Sequence, residues 1–427
     1  MSKITLFLAL SIFLHWLNFT PVMGQSFENQ IFNPNIKSVS VQRENQQQIG
    51  AALCLPPFLQ LGEKYALTLR FDDLSGIFKN YSFTFIHCNP DWSATDLFPN
   101  EYLTGFNEDN ISDYSFSQNT QQEYIHYFQQ FPTENMQINK SGNYTLVVYE
   151  TGNKDKVVLT QRFFVVDQRT NIIPLPSFSN SGSEQKETHQ INFKVNVSAV
   201  QSSDPLNEFQ TLVIQNMNID QALSCTPAFI NNEILSFFGT SMNIEAGNNF
   251  RQIDLRGLRE STVGLGVHQT LFEAPYYHTI LKPVQNRNLE SYTTYNDFNG
   301  KFYPMTTGHR DPHFESDYSW VYFYYNPMSE DSSLELYLSG QLSQWSSRSD
   351  YKFHYNSKSK QYVAKALLKE GVYDYAILEK NEKGGLSWGR VEGNFYQTEN
   401  SYTILFYYKS FTSNYFQLIG SKSFLYR

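Results

Sequence analysis

Apolar and aromatic side chains recur on every second residue along most of this chain. That spacing constrains the fold more than any other feature, because a strand places alternate side chains on one face. The runs Tyr65, Leu67, Leu69, Phe71, then Tyr81, Phe83, Phe85, His87, then Tyr144, Leu146, Val148 have it in the first half of the chain. Later come Ile191, Phe193, Val195, Val197, then Leu334, Leu336, Leu338, and Ile404, Phe406, Tyr408. With 29 Tyr and 35 Phe among 427 residues, side chains that suit a pleated, half-buried surface are plentiful enough to supply many strands. Gly, Pro, Asn and Asp punctuate the runs, and no helical patterns of about 10–15 residues come between them, which favours antiparallel sheets over strand–helix–strand units. The best helical candidate, Thr120 to Phe131, is Gln-rich and runs into Pro132, so at most a turn or two is expected there. The expected class is all-β: consecutive antiparallel immunoglobulin-like β-sandwich domains with little helix.

The first residues set Lys3 before an apolar run from Ile4 to Leu17, and the small residues Val22 and Gly24 then occupy the third and last places before a signal-peptidase cut. Residues 1–24 therefore read as a signal peptide and Gln25 as the mature N-terminus. The apolar run is short against the ~20 residues needed to span a bilayer, and no later segment is apolar enough to cross one. No Cys follows the small residues, so lipid attachment there is not available. An exported protein with no membrane insertion of its own is expected. About 400 residues remain, enough for two to four domains at roughly 100–200 residues each. Composition shifts divide them: an N-terminal β-sandwich domain over 25–167, a Pro- and Ser-rich linker over 168–189, a central β domain over 190–299, and a C-terminal domain over 300–427.

The chain has 32 basic and 41 acidic residues and a formal net charge of −9. That balance argues against nucleic acid or an anionic membrane surface as the main partner, since both are held by Lys and Arg. Three Cys, at 54, 88 and 225, are too few and scattered for a disulfide framework or a zinc site; one bridge between Cys54 and Cys88, or buried thiols, remain as readings. His87, Cys88 and Asp91 do not make a catalytic set, because neighbours on a strand point to opposite faces. His309, Asp311 and His313 have the alternation of metal ligands, but Pro312 makes a solvated turn of them. Asp72, Asp73 and Asp297 sit near Gly76 and Gly300 and read as turn residues, since no full calcium loop is present. No phosphate-binding loop, His-Glu-x-x-His or Gly-x-Ser-x-Gly occurs, so no catalytic or metal site and no cofactor is expected.

Large aromatics in a loop are the most partner-like feature. Trp92, Phe98, Tyr102 and Phe106 lie in a Pro- and Asn-rich connection where alternation breaks down, and they are the candidate partner-binding residues. The competing reading folds that loop back and buries them. In the C-terminal domain, Trp345 follows a Gly turn and offers either a flat platform for a sugar ring or a plug closing the sandwich core.

Several strings together resemble the plug protein family of the type IX secretion system of Bacteroidetes. They are Phe71 to Leu74, Tyr81 to Trp92, Glu101 to Glu108, Phe131 to Met136, and Lys140 to Tyr144. The resemblance continues through Thr188 to Gln190, Ala246 to Arg251, Asp297 to Phe302 and Glu399 to Leu405, and so covers nearly the whole mature chain. It implies a non-enzymatic periplasmic protein that binds an outer-membrane β-barrel translocon and blocks its pore in the absence of substrate. The C-terminal domain is also similar to early-set immunoglobulin-like modules that bind glycogen or starch, chiefly through Leu338-Ser339-Gly340 and Trp345. That similarity implies the alternative, a carbohydrate-binding envelope protein, with a glycan as partner.

Overall fold

A computed structural model describes residues 26–44, 53–175, 186–260, 263–308 and 310–426. The expected signal peptide and Gln25 lie outside the described residues, as do His309 and the middle of the expected linker. The chain is all-β, with about 48% strand and 6% helix in many antiparallel sheets.

The first sandwich grows from the alternating runs. Strand Gly142–Glu150 lies between Tyr81–Cys88 and Val157–Val166, antiparallel to both; Gln30–Ile31 and Asp109–Ile111 extend the sheet, and Phe58–Gln60 joins Val157–Val166 in parallel. The facing sheet runs Ile36–Gln42, Leu67–Asp73, Ile125–Phe131, Asp113–Phe116. Leu67, Leu69 and Phe71 from one sheet meet Phe83, Phe85 and Leu146 from the other in a single core. Phe71 stacks on Tyr127 with ring centres 5.2 Å apart. Each such side chain contributes roughly 1.5–3 kcal/mol on burial. Tyr65 stands apart from its run: it turns through φ 53° and is half-exposed, and the strand begins at Leu67.

The segment expected to hold a turn or two of helix contains strand Ile125–Phe131 instead. Its pairing with Leu67–Asp73 along the whole length, and the burial of Ile125, Tyr127 and Phe131, outweigh the weak helical preference of the glutamines.

Beyond residue 186, strand pairing departs from the expected division at 190–299 and 300–427. Strand Phe209–Gln215 pairs with Asn400–Tyr408, which pairs with Gln417–Tyr426. This sheet covers a second one made by Asn171–Leu175, Asn192–Asn196, Ile234–Phe237 and Phe229–Asn231, and the two share a core with Phe193, Phe237, Tyr402 and Phe406. The second sandwich is thus closed by the C-terminal strands, and the third is inserted between its parts. In the third, Gly371–Lys380 is bordered by Arg251–Asp254, Phe302–Pro304 and Leu336–Ser339. A six-stranded sheet faces it, in the order Val267–Glu273, Tyr276–Leu281, Tyr318–Asn326, Gln361–Lys369, His354–Asn356, with Val284–Gln285 parallel to Tyr318–Asn326. Residues 251–285 therefore belong with the C-terminal domain. The cause is that a strand leaves no mark in local composition of which distant strand it pairs with.

Each sandwich packs on the other two. Trp92, Phe164 and Val166 of the first bury against Leu405, Tyr407 and Leu418 of the second. Phe250, Trp345 and Trp388 form a cluster with Met217 where the second meets the third. Leu74 and Tyr124 of the first pack on Tyr318 of the third. The first–third contact also holds a fully buried ionic group. Asp72 accepts hydrogen bonds from His126 Nδ1, Tyr318 Oη and Lys369 Nζ, each at 2.6 Å, and Ser38 bonds the same Tyr318 hydroxyl at 2.7 Å.

Candidate functional site

The loop aromatics are positioned by two turns. Trp92 takes φ 67° in the turn after Tyr81–Cys88, and its ring packs edge-on against Phe164 at 5.2 Å with the Arg162 guanidinium 4.9 Å above it. Tyr102 ends the one-turn helix Pro99–Tyr102 and donates its hydroxyl to the Phe85 carbonyl at 3.1 Å. Both are buried, at 6% and 4% exposure. Trp92 contributes to the contact with the second sandwich, so it faces inside the chain and not a partner. Tyr102 is part of the first core. The Tyr102 hydroxyl finds a partner inside while its ring fills the gap between layers, and the Trp92 ring is covered by the Arg162 cation.

Phe98 and Phe106 are placed differently, with 72% and 66% of their surface exposed. Phe98 caps the helix through its backbone, its N–H donating to Glu101 Oε2 at 2.7 Å, which leaves the ring outside. Phe106 follows Gly105, where φ is +96° and an added Cβ would come 2.1 Å from the Asn135 carbonyl oxygen. Only glycine permits this close approach of the ribbon formed by Leu103–Gly105 and Met136–Ile138. Phe106 N–H then bonds the Asn135 carbonyl at 2.7 Å, fixing its backbone with the ring in solvent. Two of the four candidate residues are therefore surface groups and two are core.

A second exposed aromatic group lies on the same sandwich. Phe78 and Tyr114 have ring centres 4.8 Å apart, Phe116 lies 5.8 Å from Tyr114, and Ile77 beside them is 67% exposed. Tyr114 and Phe116 sit on Asp113–Phe116, the edge strand of its sheet. Sequence reading missed them because Tyr114-Ser115-Phe116 alternates as a core strand does. The shortness of the run and the Asp at its start were the available signals of an edge.

Trp345 does not form a platform. It is 7% exposed, stands edge-on to Phe250 at 5.7 Å, and presses on Gly300, where an added Cβ would come within 2.4 Å of the indole. The other weighed residues are structural as well. His87 bonds Thr95 Oγ1 at 3.0 Å and the Ser141 carbonyl at 3.2 Å, while Cys88 packs beside Thr145. Cys54, Cys88 and Cys225 are free and buried, so the Cys54–Cys88 bridge is not formed, and burial pushes each thiol up to about 12. Asp73 is taken up by Lys79, Tyr81 and the Ser75 N–H, and Asp297 by the Phe250 and Asn299 N–H groups. Asp311 accepts the His313 N–H at 2.8 Å, the turn chemistry expected of it. Among the described residues no group of three or more His, Cys, Asp or Glu is arranged to hold a metal ion. No helix among them is long and apolar enough to cross a membrane.

Residues 36–167 match the family model described as the type 9 secretion system plug protein 1st domain. A crystal structure of a hypothetical protein from Parabacteroides merdae ATCC 43184 is similar along 94% of this chain and 100% of its own, with 27% sequence identity and a TM-score of 0.87. No curated protein matches the chain. The matched span takes in Ile36–Gln42 to Val157–Val166, nearly the whole of the first sandwich with both exposed aromatic groups. Over that sandwich, the chain is similar to the type 9 secretion system plug protein 1st domain.

Proposed function

We propose that this protein is a non-enzymatic periplasmic plug: it is exported by its signal peptide, binds the outer-membrane β-barrel translocon of the type IX secretion system, and blocks the pore when no substrate is passing. The observation that carries the reading is the plug-domain match over residues 36–167. The three mutually packed sandwiches support it, since steric closure of a wide pore requires a body that does not deform, and a reactive centre is not needed for it. The contact is assigned to the exposed aromatics of the first sandwich, with Phe98 and Phe106 as anchors and Phe78, Tyr114 and Phe116 as a second exposed group on that sandwich. Aromatic anchors of this sort carry most of the energy of a protein–protein interface. The carbohydrate reading finds less support, because the Trp345 ring it depends on is enclosed.

Variants of the tagged full-length protein, recovered from native membranes, test the assignment. Phe98→Ala with Phe106→Ala is expected to leave thermal unfolding unchanged and to weaken co-purification with the barrel, by about 2 kcal/mol or more, roughly thirtyfold in affinity. Tyr102→Ala is expected to do the reverse, lowering stability by about 3–5 kcal/mol as a core aromatic is lost. Full co-purification of the double variant would remove these two residues from the contact, and failure of the unaltered protein to bring down any barrel would remove the plug reading itself.

A further inference from the structure

The six-stranded sheet of the third sandwich has one face in the core and one in solvent. Val321, Phe323, Ala364 and Ala366 point inward, and the alternate residues Trp320, Tyr322, Val363, Lys365 and Leu367 remain outside. That outer face is the floor of an open groove of about 1150 Å³. One wall is strand His354–Asn356, the edge of the sheet, which pairs with Gln361–Lys369 and with no other strand among the described residues. Pro34 and Lys37 of the first sandwich, with Asp350 and Tyr351, also line the groove.

The charge of the groove opposes that of the protein. Lys37, Lys352, Lys358 and Lys365 line it, against the single carboxylate of Asp350, in a chain whose net charge is −9. Lys352 is paired with Glu335 at 2.8 Å. Lys365 lies 4.9 Å over the Trp320 ring, and Lys37, Lys358 and Lys365 make no ion pair among the described residues. Burial pulls the half-buried Lys37 below its ordinary range, with Asp350 offsetting only part of that effect and Arg348 adding to it. A smaller cavity of about 110 Å³ continues from the groove beside Lys37 and Arg348, and the buried Arg348 Nε there has no hydrogen-bond partner. Cations collected in an acidic protein favour an anionic ligand by sign and steer its approach.

The groove is also larger than the ~300–1,000 Å³ typical of small-molecule sites. Its edge strand offers unpaired backbone groups of the kind that receive an added strand. A strand added there turns every second side chain to the lysine-lined outer face of the sheet and the others to the opposite side, beside Tyr355. We propose that this groove binds an extended, acidic polypeptide segment, which adds along His354–Asn356 and meets Lys358 and Lys365 with its carboxylates. The proposal stands apart from the plug reading and does not depend on it.

The probe is a fluorescein-labelled decapeptide of alternating Glu and Val, titrated with the full-length protein and followed by anisotropy. The same peptide with Lys in place of Glu, and a labelled oligogalacturonate as an acidic glycan, serve as comparisons. The Glu peptide is expected to bind, to lose affinity as salt rises from 0.05 to ~0.15 M, and to bind at least about tenfold more weakly to Lys358→Glu/Lys365→Glu. Both lysines are exposed, so melting should be unchanged; if it falls, Lys358→Gln/Lys365→Gln supplies the comparison. Absence of binding, equal binding of the Lys peptide, indifference to the lysine variants, or binding of the oligogalacturonate alone would each overturn the proposal.

Discussion

Replacing Asp72 by alanine is expected to destabilise the protein by about 3–5 kcal/mol, the usual loss when one member of a buried ion pair is removed and its partner stays behind. Asp72 is fully enclosed at the first–third contact, where Lys369 Nζ and the Tyr318 hydroxyl both reach its Oδ2 at 2.6 Å. Burial acts to raise this carboxyl, but the Lys369 ammonium and the His126 hydrogen bond outweigh it and hold it below the usual carboxylate range. Without Asp72 the Lys369 ammonium keeps a carbonyl, that of His313, the faces of Tyr124 and Tyr318 at 4.4 and 5.9 Å, and the more distant Asp311, but no ion-pair partner. The double variant Asp72→Leu/Lys369→Met should recover much of the loss, because no charge is then buried alone. Urea unfolding of the single and double variants checks both statements. A single-variant loss below about 1 kcal/mol, or a double variant no better than the single, would show that the pair does not hold the sandwiches together.

Acidification is expected to remove the stability held by buried histidines well before ordinary carboxylates titrate. His87 and His189 are both buried and held at about 4, burial being the main cause in each, with the Ser141 and Tyr396 carbonyls opposing it weakly. His126 is shifted in the same direction, by burial that exceeds the pull of Asp72. A histidine lowered on folding takes up its proton in the unfolded chain first, near 6.5, so between about 6.5 and 4 the unfolded state binds more protons. Stability from these residues is therefore complete above about pH 6.5 and falls as pH drops toward 4. For a shift from 6.5 to about 4 the loss approaches roughly 3 kcal/mol per residue, at about 1.4 kcal/mol per pH unit. Asp72 and Asp73, both lowered, add a further loss below about pH 4. Asp297 and Asp374, whose carboxyls burial raises to about 6 and about 8, act in the opposite sense, so the histidine contribution is read as the difference between the unaltered protein and a histidine variant, melted from pH 8 to 4. Relative to the unaltered protein, His189→Gln should lose less melting temperature between about pH 6.5 and 4.5, and parallel profiles would contradict the assignment.

Gly105 with Phe106 shows what a short stretch of sequence can and cannot declare. The loop was visible as a break in alternation, and so was its wealth of aromatics, but not which of them turn outward. Phe98 and Trp92 are both large aromatics in the same irregular segment; one caps a single helical turn and remains in solvent, while the other meets Phe164 and a strand from the far end of the chain. Trp345 is a like case, since its enclosure depends on Phe250 and Gly300, residues distant in sequence.

The sequence by itself determined the all-β class and the position of strands such as Tyr81–Cys88, Gly142–Glu150 and Asn192–Asn196, because a two-residue period is a local property of the backbone. It also carried the strings resembling the plug family, most densely over the first sandwich. Tertiary structure alone decided that Phe209–Gln215 takes Asn400–Tyr408 as its neighbour, that the third sandwich is inserted in the second, and that Ile125–Phe131 is a strand. It decided as well that Tyr114, Phe116, Trp320 and Tyr322 face outward. Both faces of a strand carry the same period, and the choice between core and solvent is made by the second layer that packs on one of them.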